Sequence, residues 1–326
     1  MGDEVVLGRL SPAEQAAAVA SPAPPHARLM KAILERQSFS DPGWIFERKL
    51  DGIRCLGIRA GSETRMLSRN DLDLGGRYPE VRNALAAQAG DRFAVDGEIV
   101  AFEGSQTSFA RLAQRGRRPV AVFFYVFDLL WLDGYDLRGL ELRSRKRLLR
   151  TALTFEGPLR LTPHRNRDGE AMFTDACRKG WEGVIAKRAD SPYRETRSRD
   201  WRKFKCEAGQ ELVIGGYTTP QGSRSDFGAL LVGYFTDGRL RYAGKVGTGF
   251  DQATLSSLGE RLRGLRRETP RFAEPEAIRE RGVTWVEPEL VAQVGFTEWT
   301  SAGRLRHPRF LGLRDDKAAS EVVREQ

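Results

Sequence analysis

The chain has 326 residues, 40% of them hydrophobic and 30% charged, a balance that excludes disorder for most of its length and suits two globular domains better than one. Its 53 Lys and Arg against 44 Asp and Glu leave a net charge of +9, which favours a polyanionic partner. Cys55, Cys177 and Cys206 are scattered without Cys-x-x-Cys spacing, and no apolar stretch approaches the length of a membrane span, so a disulfide framework, a zinc finger, secretion and a membrane location are all unexpected.

Ser11-Pro12-Ala13-Glu14 is a capping-box pattern ahead of an Ala-rich run that Ser21-Pro22-Ala23-Pro24-Pro25 breaks, predicting a short helix within Ser11 to Ala20 and then a linker. From Leu29 to about Glu207 strand and helix patterns alternate. Trp44-Ile45-Phe46, Met66-Leu67, Phe93-Ala94-Val95, Val120 to Leu130 and Gly183-Val184-Ile185-Ala186 predict strands, and Tyr78 to Ala89 and Arg143 to Leu153 predict helices, which together make an α+β domain of mixed sheets. After Gly209 the elements become short strands, Leu212 to Tyr217, Gly228 to Phe235 and Leu240 to Val246, with Asp237-Gly238 as a hairpin turn. On pattern alone this module fits a five-stranded OB barrel or an SH3-like barrel. Charge divides similarly: from Glu211 onward 17 Lys and Arg face 16 Asp and Glu, so +8 of the surplus lies before that point.

Lys49 stands in Glu47-Arg48-Lys49-Leu50-Asp51-Gly52-Ile53-Arg54, an amine flanked by carboxylates and guanidinium groups. A lysine with a pKa near 10.4 is neutral in only about one part in a thousand at pH 7.4, so it attacks phosphorus usefully only if cations or desolvation lower that value. Arginine, permanently charged, has no such option. Asp51-Gly52 supplies a turn that would display the amine at a pocket rim. Further on, Ser68-Arg69-Asn70 follows a strand, and Asp96-Gly97-Glu98 interrupts an apolar one, where buried carboxylates need a partner or a metal. Phe123 to Trp131 has the composition of a core strand. Trp181-Glu182-Gly183 opens another, and Trp201-Arg202-Lys203-Phe204-Lys205 puts two lysines on one strand face at i and i+2.

In this order, these segments resemble the motif series of the covalent nucleotidyltransferases, the family of ATP-dependent DNA ligases, RNA ligases and mRNA capping enzymes. The C-terminal stretches Phe227 to Gly233, Gly244 to Phe250 and Arg304 to Lys317 resemble the OB domain of bacterial ligase D, the non-homologous end-joining ligase. The resemblance implies an ATP-grasp-like adenylation domain, the nucleotidyltransferase domain, followed by an OB-fold β-barrel. It implies that Lys49 attacks the ATP α-phosphate and keeps AMP as a phosphoramide, with Lys203 and Lys205 reaching that phosphate and depressing the Lys49 pKa. Glu47 would accept from the adenine amine, Phe127 would stack on the purine, and Arg54 and Arg69 would bind nucleotide, Arg69 also the DNA 5′-phosphate. Glu98 becomes a ligand of Mg²⁺ or of the ribose and Glu182, also on the nucleotide, the second metal candidate, with Mn²⁺ as the alternative ion, and Asp51 positions the nick or its metal. Arg314 and Lys317 would orient the pyrophosphate when the OB domain closes, and the basic loop Arg115-Gly116-Arg117-Arg118 would contact DNA.

The expected organisation is an extension over 1–25, a nucleotidyltransferase domain over 26–208, an OB domain over 209–320 and a tail over 321–326. The expected activity is ATP-dependent sealing of 5′-phosphate/3′-hydroxyl nicks or ends in duplex DNA. Expected partners are nicked or broken duplex DNA, Ku, and end-joining polymerase and phosphoesterase modules, and the chain itself is expected to be a monomer in the bacterial cytoplasm at the nucleoid. Neither the large N-terminal DNA-binding domain of replicative ligases nor those modules has a counterpart in these residues, so a stand-alone enzyme and a module of a longer chain are both open. An RNA ligase or capping-type enzyme would share the lysine motif but would load GTP or seal only RNA. A noncatalytic nucleic-acid binder would show salt-dependent binding without a covalent adenylate.

Overall fold

The computed structural model describes residue 8 and residues 10–26, 28–116, 119–206, 209–220 and 226–325. Two compact units divide the chain, Met1–Cys206 and Glu207–Gln326. The strands that shape the first are β1 (Lys31–Leu34), β2 (Trp44–Lys49), β3 (Ile53–Ala60), β4 (Glu63–Ser68), β5 (Arg92–Glu103), β6 (Val122–Leu132), β7 (His164–Asn166), β8 (Gly183–Arg188) and β9 (Arg197–Lys205). Its helices are α1 (Pro12–Ala17), α2 (Pro79–Ala86), α3 (Phe109–Ala113), α4 (Leu142–Ala152) and α5 (Gly169–Arg178).

Two sheets face each other. The larger has β6, β5, β3 and β4 as neighbours in that order, extended beyond β6 by the short pairs Tyr135–Asp136 and Val19–Ala20. The smaller runs β7, β2, β8, β9, β1. Because side chains alternate along a strand, each sheet has an outer face buried under helices and an inner face turned to the other sheet. Outside the larger sheet, Cys55, Val95, Ile99 and Phe124 pack with Val81 and Leu85 of α2 and Leu148 and Leu149 of α4. Outside the smaller, Phe46, Val184, Ala186 and Phe204 pack with Met172 and Ala176 of α5. Between them, Leu56, Ile58, Ala94 and Phe127 meet Tyr193 and Trp201. Burial on this scale, at roughly 1.5–3 kcal/mol for each fully covered large side chain, is what holds the sheets in register.

Residues 10–25, expected as an extension, join this packing. Ser11 caps α1 in the anticipated box with Glu14, Glu14 then pairs with Arg147 of α4 at 2.8 Å, and the Trp131 indole donates to the Ser21 carbonyl at 2.8 Å. The cysteine expectation fails. Cys177 at the end of α5 and Cys206 just after β9 form a disulfide, because α5 packs across the outer face of β8 and β9 and brings together residues 29 apart in sequence.

In the second unit, β10 (Gly209–Thr218), β11 (Leu230–Thr236) and β12 (Arg239–Val246) form a meander, followed by α6 (Gln252–Gly264), β13 (Val283–Val286), β14 (Val291–Gly295) and β15 (Arg309–Leu313). The Asp237-Gly238 turn has φ +51° and +72°, the doubly positive geometry of a tight hairpin. β14 returns to pair with the first half of β10, β15 pairs with β14, and the Phe310 amide donates to the Thr248 carbonyl just past β12 at 2.9 Å. That bond closes a five-stranded barrel of order 1-2-3-5-4-1 with a helix between its third and fourth strands, the OB arrangement rather than the SH3-like alternative. Leu255, Leu258 and Leu262 of α6 plug its core against Leu212, Val232 and Val294. Among the described residues no helix is long and apolar enough to cross a membrane.

Candidate active site

Lys49 is the last residue of β2, and the next strand, β3, belongs to the other sheet. Leu50-Asp51-Gly52 is therefore a crossover between sheets, not a hairpin, and it leaves the amine at the end of β2 on the inner face. Close packing forces the glycine: a Cβ on Gly52 would lie 2.2 Å from the Ile99 carbonyl oxygen. Asp51 is fixed there by the Phe109 amide, which donates to its Oδ2 at 2.8 Å, while its own amide donates to Thr107 Oγ1.

Strand register lines up the rest. Lys49 is opposite Gly183, which is opposite Lys205; Glu47 is opposite Ile185, which is opposite Lys203. All of these share the inner face, so the two lysines of β9 and the nucleophile candidate of β2 project into one cleft, with a residue lacking a side chain between Lys49 and Lys205. Gly183 has φ +150°, and a Cβ there would lie 1.8 Å from the Phe204 carbonyl oxygen. From the larger sheet, Glu98 of β5 is opposite Arg54 of β3 and looks into the same cleft.

The charge state of Lys49 differs from expectation. Its Nζ is 2.5 Å from Glu182 Oε1, and the side chain is only 18% exposed. Burial pulls the ammonium down, but Glu182, helped by Glu98 and Asp51, outweighs burial and holds it above its ordinary value. The predicted depression by Lys203 and Lys205 is thus corrected: carboxylates from three separate elements dominate the field at the amine. The other Glu182 oxygen, Oε2, is buried without a hydrogen-bond partner.

The Asp96 puzzle resolves internally. Arg54 grips both its oxygens, at 2.5 and 2.6 Å, and the Tyr193 hydroxyl donates to Oδ2 at 2.7 Å. Arg54, expected on the nucleotide, therefore carries a fully buried carboxylate, and its guanidinium carbon lies 4.6 Å from the Phe127 ring centre. Phe127 is 7% exposed, edge-on to Trp201 at 6.0 Å, with Lys187 Nζ 3.9 Å from its ring centre. Glu47, 2% exposed, is paired with Lys187 at 2.7 Å and with Lys146. Replacing Phe127 with Leu should raise the KM for ATP by about fivefold or more, the low end of base–aromatic stacking. Loss of the two cation contacts should also lower Tm by a few degrees. Steady-state kinetics alongside thermal unfolding separates the roles: a lowered Tm with unchanged KM would make Phe127 core only.

Other expected residues lie elsewhere. Arg69 is in the turn after β4, where Ser68 Oγ accepts from the Asn70 and Leu72 amides. Arg115 is used within the fold, paired with Glu80 at 2.6 Å and donating to the Arg77 and Val120 carbonyls; Arg117 and Arg118 lie outside the described residues. In the OB unit, Arg314 forks onto Asp316 at 2.8 Å through each of two nitrogens, and Lys317 holds Glu211 at 2.6 Å. Both tip cations are thus only 10% exposed and already paired within their own unit.

Sequence reasoning missed Lys146 and Lys187, and the Arg145–Asp128 pair, 0% exposed on both sides. A signal existed for the helix. Leu142, Arg145, Lys146 and Leu149 follow the i, i+3, i+4, i+7 spacing of a core-facing stripe, so two cations on that stripe demanded buried partners. Lys187 likewise shares a strand face with Ile185 on a mostly buried strand.

Comparison with known proteins identifies the family. Residues 24–205 match the family described as "ATP dependent DNA ligase domain", and residues 223–317 match "ATP dependent DNA ligase C terminal region". The chain is 40% identical over 292 residues to the multifunctional non-homologous end joining protein LigD of Pseudomonas aeruginosa, covering 87% of this chain and 35% of that protein. It is 42% identical over 287 residues to the LigD of Mycobacterium tuberculosis, covering 86% and 37%. The chain thus spans about a third of the length of these relatives. Among solved structures, "mycobacterial DNA ligase D complexed with ATP and MES" superposes with a TM-score of 0.67 at 38% identity, covering 91% of this chain and 98% of that one. The first unit, with Lys49 at its sheet crossover, and the OB barrel that follows correspond to the two matched regions, and the chain belongs to the ATP-dependent DNA ligase family.

Proposed function

We propose that this chain seals 5′-phosphate/3′-hydroxyl breaks in duplex DNA through a lysyl-AMP and then a DNA-adenylate, in repair by end joining. The observation that carries the reading is the convergence on one cleft of Lys49, Lys203 and Lys205 from the smaller sheet with Glu98 from the larger and Glu182 at the amine. Glu182 Oε1, 2.5 Å from the amine, would receive the proton that must leave Lys49 before its lone pair attacks. Lys203 and Lys205 would hold the α-phosphate and neutralise charge that grows on its nonbridging oxygens. Arg54 fixes Asp96 and backs Phe127, and Glu47 with Phe127 receives the base.

A divalent cation fits Glu98 and Glu182. The unpartnered Glu182 Oε2 is a hard oxygen at the cleft, and among the described residues no cluster of three or more His, Cys, Asp or Glu side chains would hold a metal alone. That donor set suits Mg²⁺ shared with nucleotide phosphates, with Mn²⁺ as the alternative. Such an ion supplies charge stabilisation at phosphoryl oxygens. Ku, polymerase and phosphoesterase partners, action as a monomer, and a place at the bacterial nucleoid complete the proposal, whose end-joining part is supported by the names of the relatives.

The test is an intact-mass measurement after ATP and Mg²⁺, followed by addition of nicked duplex. An AMP adduct that disappears as the nick is sealed supports the reading. DNA binding with no adduct would mark a noncatalytic binder, and a GMP adduct or sealing of RNA alone would favour the capping or RNA-ligase alternative.

The OB cations carry a further expectation. If Arg314 and Lys317 exchange Asp316 and Glu211 for the ATP β- and γ-phosphates, their role ends when pyrophosphate leaves. Arg314→Ala or Lys317→Ala should slow adenylation about a hundredfold or more, on the scale of losing one preorganised charge donor. Sealing of pre-adenylated nicks should be spared. Equal losses on both substrates would sink the idea.

A further inference from the structure

Glu47 and Lys49 share one strand face two residues apart, about 6.6 Å along β2. A nucleotide held at Lys49 by its α-phosphate therefore meets Glu47 one step further along. The Glu47 carboxylate is clamped from two elements: Lys187 of β8 holds Oε2 at 2.7 Å, and Lys146 of α4 holds Oε1. Both lysines also touch the aromatic wall, Lys146 by donating to the Phe127 carbonyl at 3.0 Å and Lys187 through the ring face. His164, the register partner of Glu47 on the other side, is pulled down to about 4 by burial and by Lys146, so it adds no charge near neutrality. Burial alone would push the Glu47 pKa up, and the two lysines reverse that and hold it below the ordinary carboxylate value. Lys187 is itself pulled down to about 8 by burial and Lys146, against the opposing pull of Glu47.

We propose that Lys146 and Lys187 determine nucleotide specificity: by clamping the Glu47 carboxylate from two sides, they make the cleft accept the 6-amino group of adenine and reject the 6-oxo group of guanine. An ionised carboxylate only accepts hydrogen bonds, whereas a protonated one also donates. Adenine presents a donor to it; guanine presents a carbonyl oxygen, with no proton to place between two acceptors. With one lysine removed, Glu47 stays buried with less compensation, takes up a proton more readily, and then donates to a guanine carbonyl. Discrimination therefore falls without any change at the phosphate end. This inference rests on the base-binding role proposed above for Glu47 and Phe127.

The experiment compares wild type with Lys187→Met, which keeps length and apolar bulk but removes the charge. Rates of AMP and GMP addition to Lys49 are read by intact mass across ATP and GTP concentrations, beside thermal unfolding. The wild type should load AMP strongly over GMP. In Lys187→Met the ATP-to-GTP ratio of kcat/KM should fall about tenfold or more, chiefly through KM for ATP, since polar readout by a buried group is what gives large discrimination. Lys187→Arg, which retains a cation, should restore most of the ratio. An unchanged ratio with a lowered Tm overturns the proposal and leaves the lysines as supports of the fold. A Lys187→Met chain that does not fold moves the same comparison to Lys146→Met, on a different element, where the ratio again decides. Failure of the wild type to gain AMP at all is a separate outcome that removes the base-binding reading itself.

Discussion

Lys49→Ala is expected to abolish both adenylate formation and the sealing of ordinary nicks, a loss of at least about four orders of magnitude, because no other group replaces a covalent nucleophile. A nick already carrying 5′-AMP should still be joined in part. In the proposed mechanism the last step would use the DNA 3′-hydroxyl as nucleophile and AMP as leaving group, so the amine would no longer be consumed. Lys49 also pairs with Glu182 at 2.5 Å, so the variant leaves that carboxylate without its counter-charge and some loss on the pre-adenylated substrate follows. Radiolabel from ATP separates the steps. Label on a different lysine in the variant would show that the nucleophile is misassigned.

The second large effect is on stability. Asp128 and Arg145 are both 0% exposed and meet through two parallel bonds, 2.7 and 2.9 Å, while Arg145 also donates to the Ser191 carbonyl at 3.1 Å. Asp128→Ala strands a guanidinium in the core of the first unit. Breaking a buried pair on one side costs about 3–5 kcal/mol, or roughly 6–20 °C in Tm for a unit of this size. The double replacement Asp128→Leu with Arg145→Met should recover much of that loss, since matched apolar groups remove both desolvation penalties. Thermal unfolding of all three chains checks it. A shift of less than about 3 °C for Asp128→Ala would mean that water or a rearranged carbonyl satisfies Arg145.

Much of the fold was legible locally. The strand patterns at Phe93 to Val95 and Gly183 to Ala186 and the helix at Arg143 to Leu153 were found where alternation or a core stripe is strong, and they stand as Arg92–Glu103, Gly183–Arg188 and Leu142–Ala152. α5 and α6 were not read, although apolar residues such as Met172 and Leu258 mark their buried faces. Their glycines and hydroxyl residues weaken helix propensity, and packing against the outer sheet face or the barrel mouth overrides it. The disulfide was unreadable for a similar reason, since nothing within 29 residues of sequence records that α5 lies across β9.

By itself, the sequence determined the chemistry that needs particular residue types in one short segment: a lysine beside Asp-Gly, two lysines at i and i+2, and carboxylates set into strands. Strand periodicity then places Lys203 and Lys205 on one face whatever the rest of the chain does. Only the tertiary structure decided which charged partners these groups meet. Glu182 meets Lys49, Lys146 and Lys187 meet Glu47, and Arg54 meets Asp96 because sheets and helices distant in sequence pack together. Electrostatic energy depends on separation and burial in space, so a residue's type tells what it is able to do, and its neighbours across the cleft set whether it is charged while doing it.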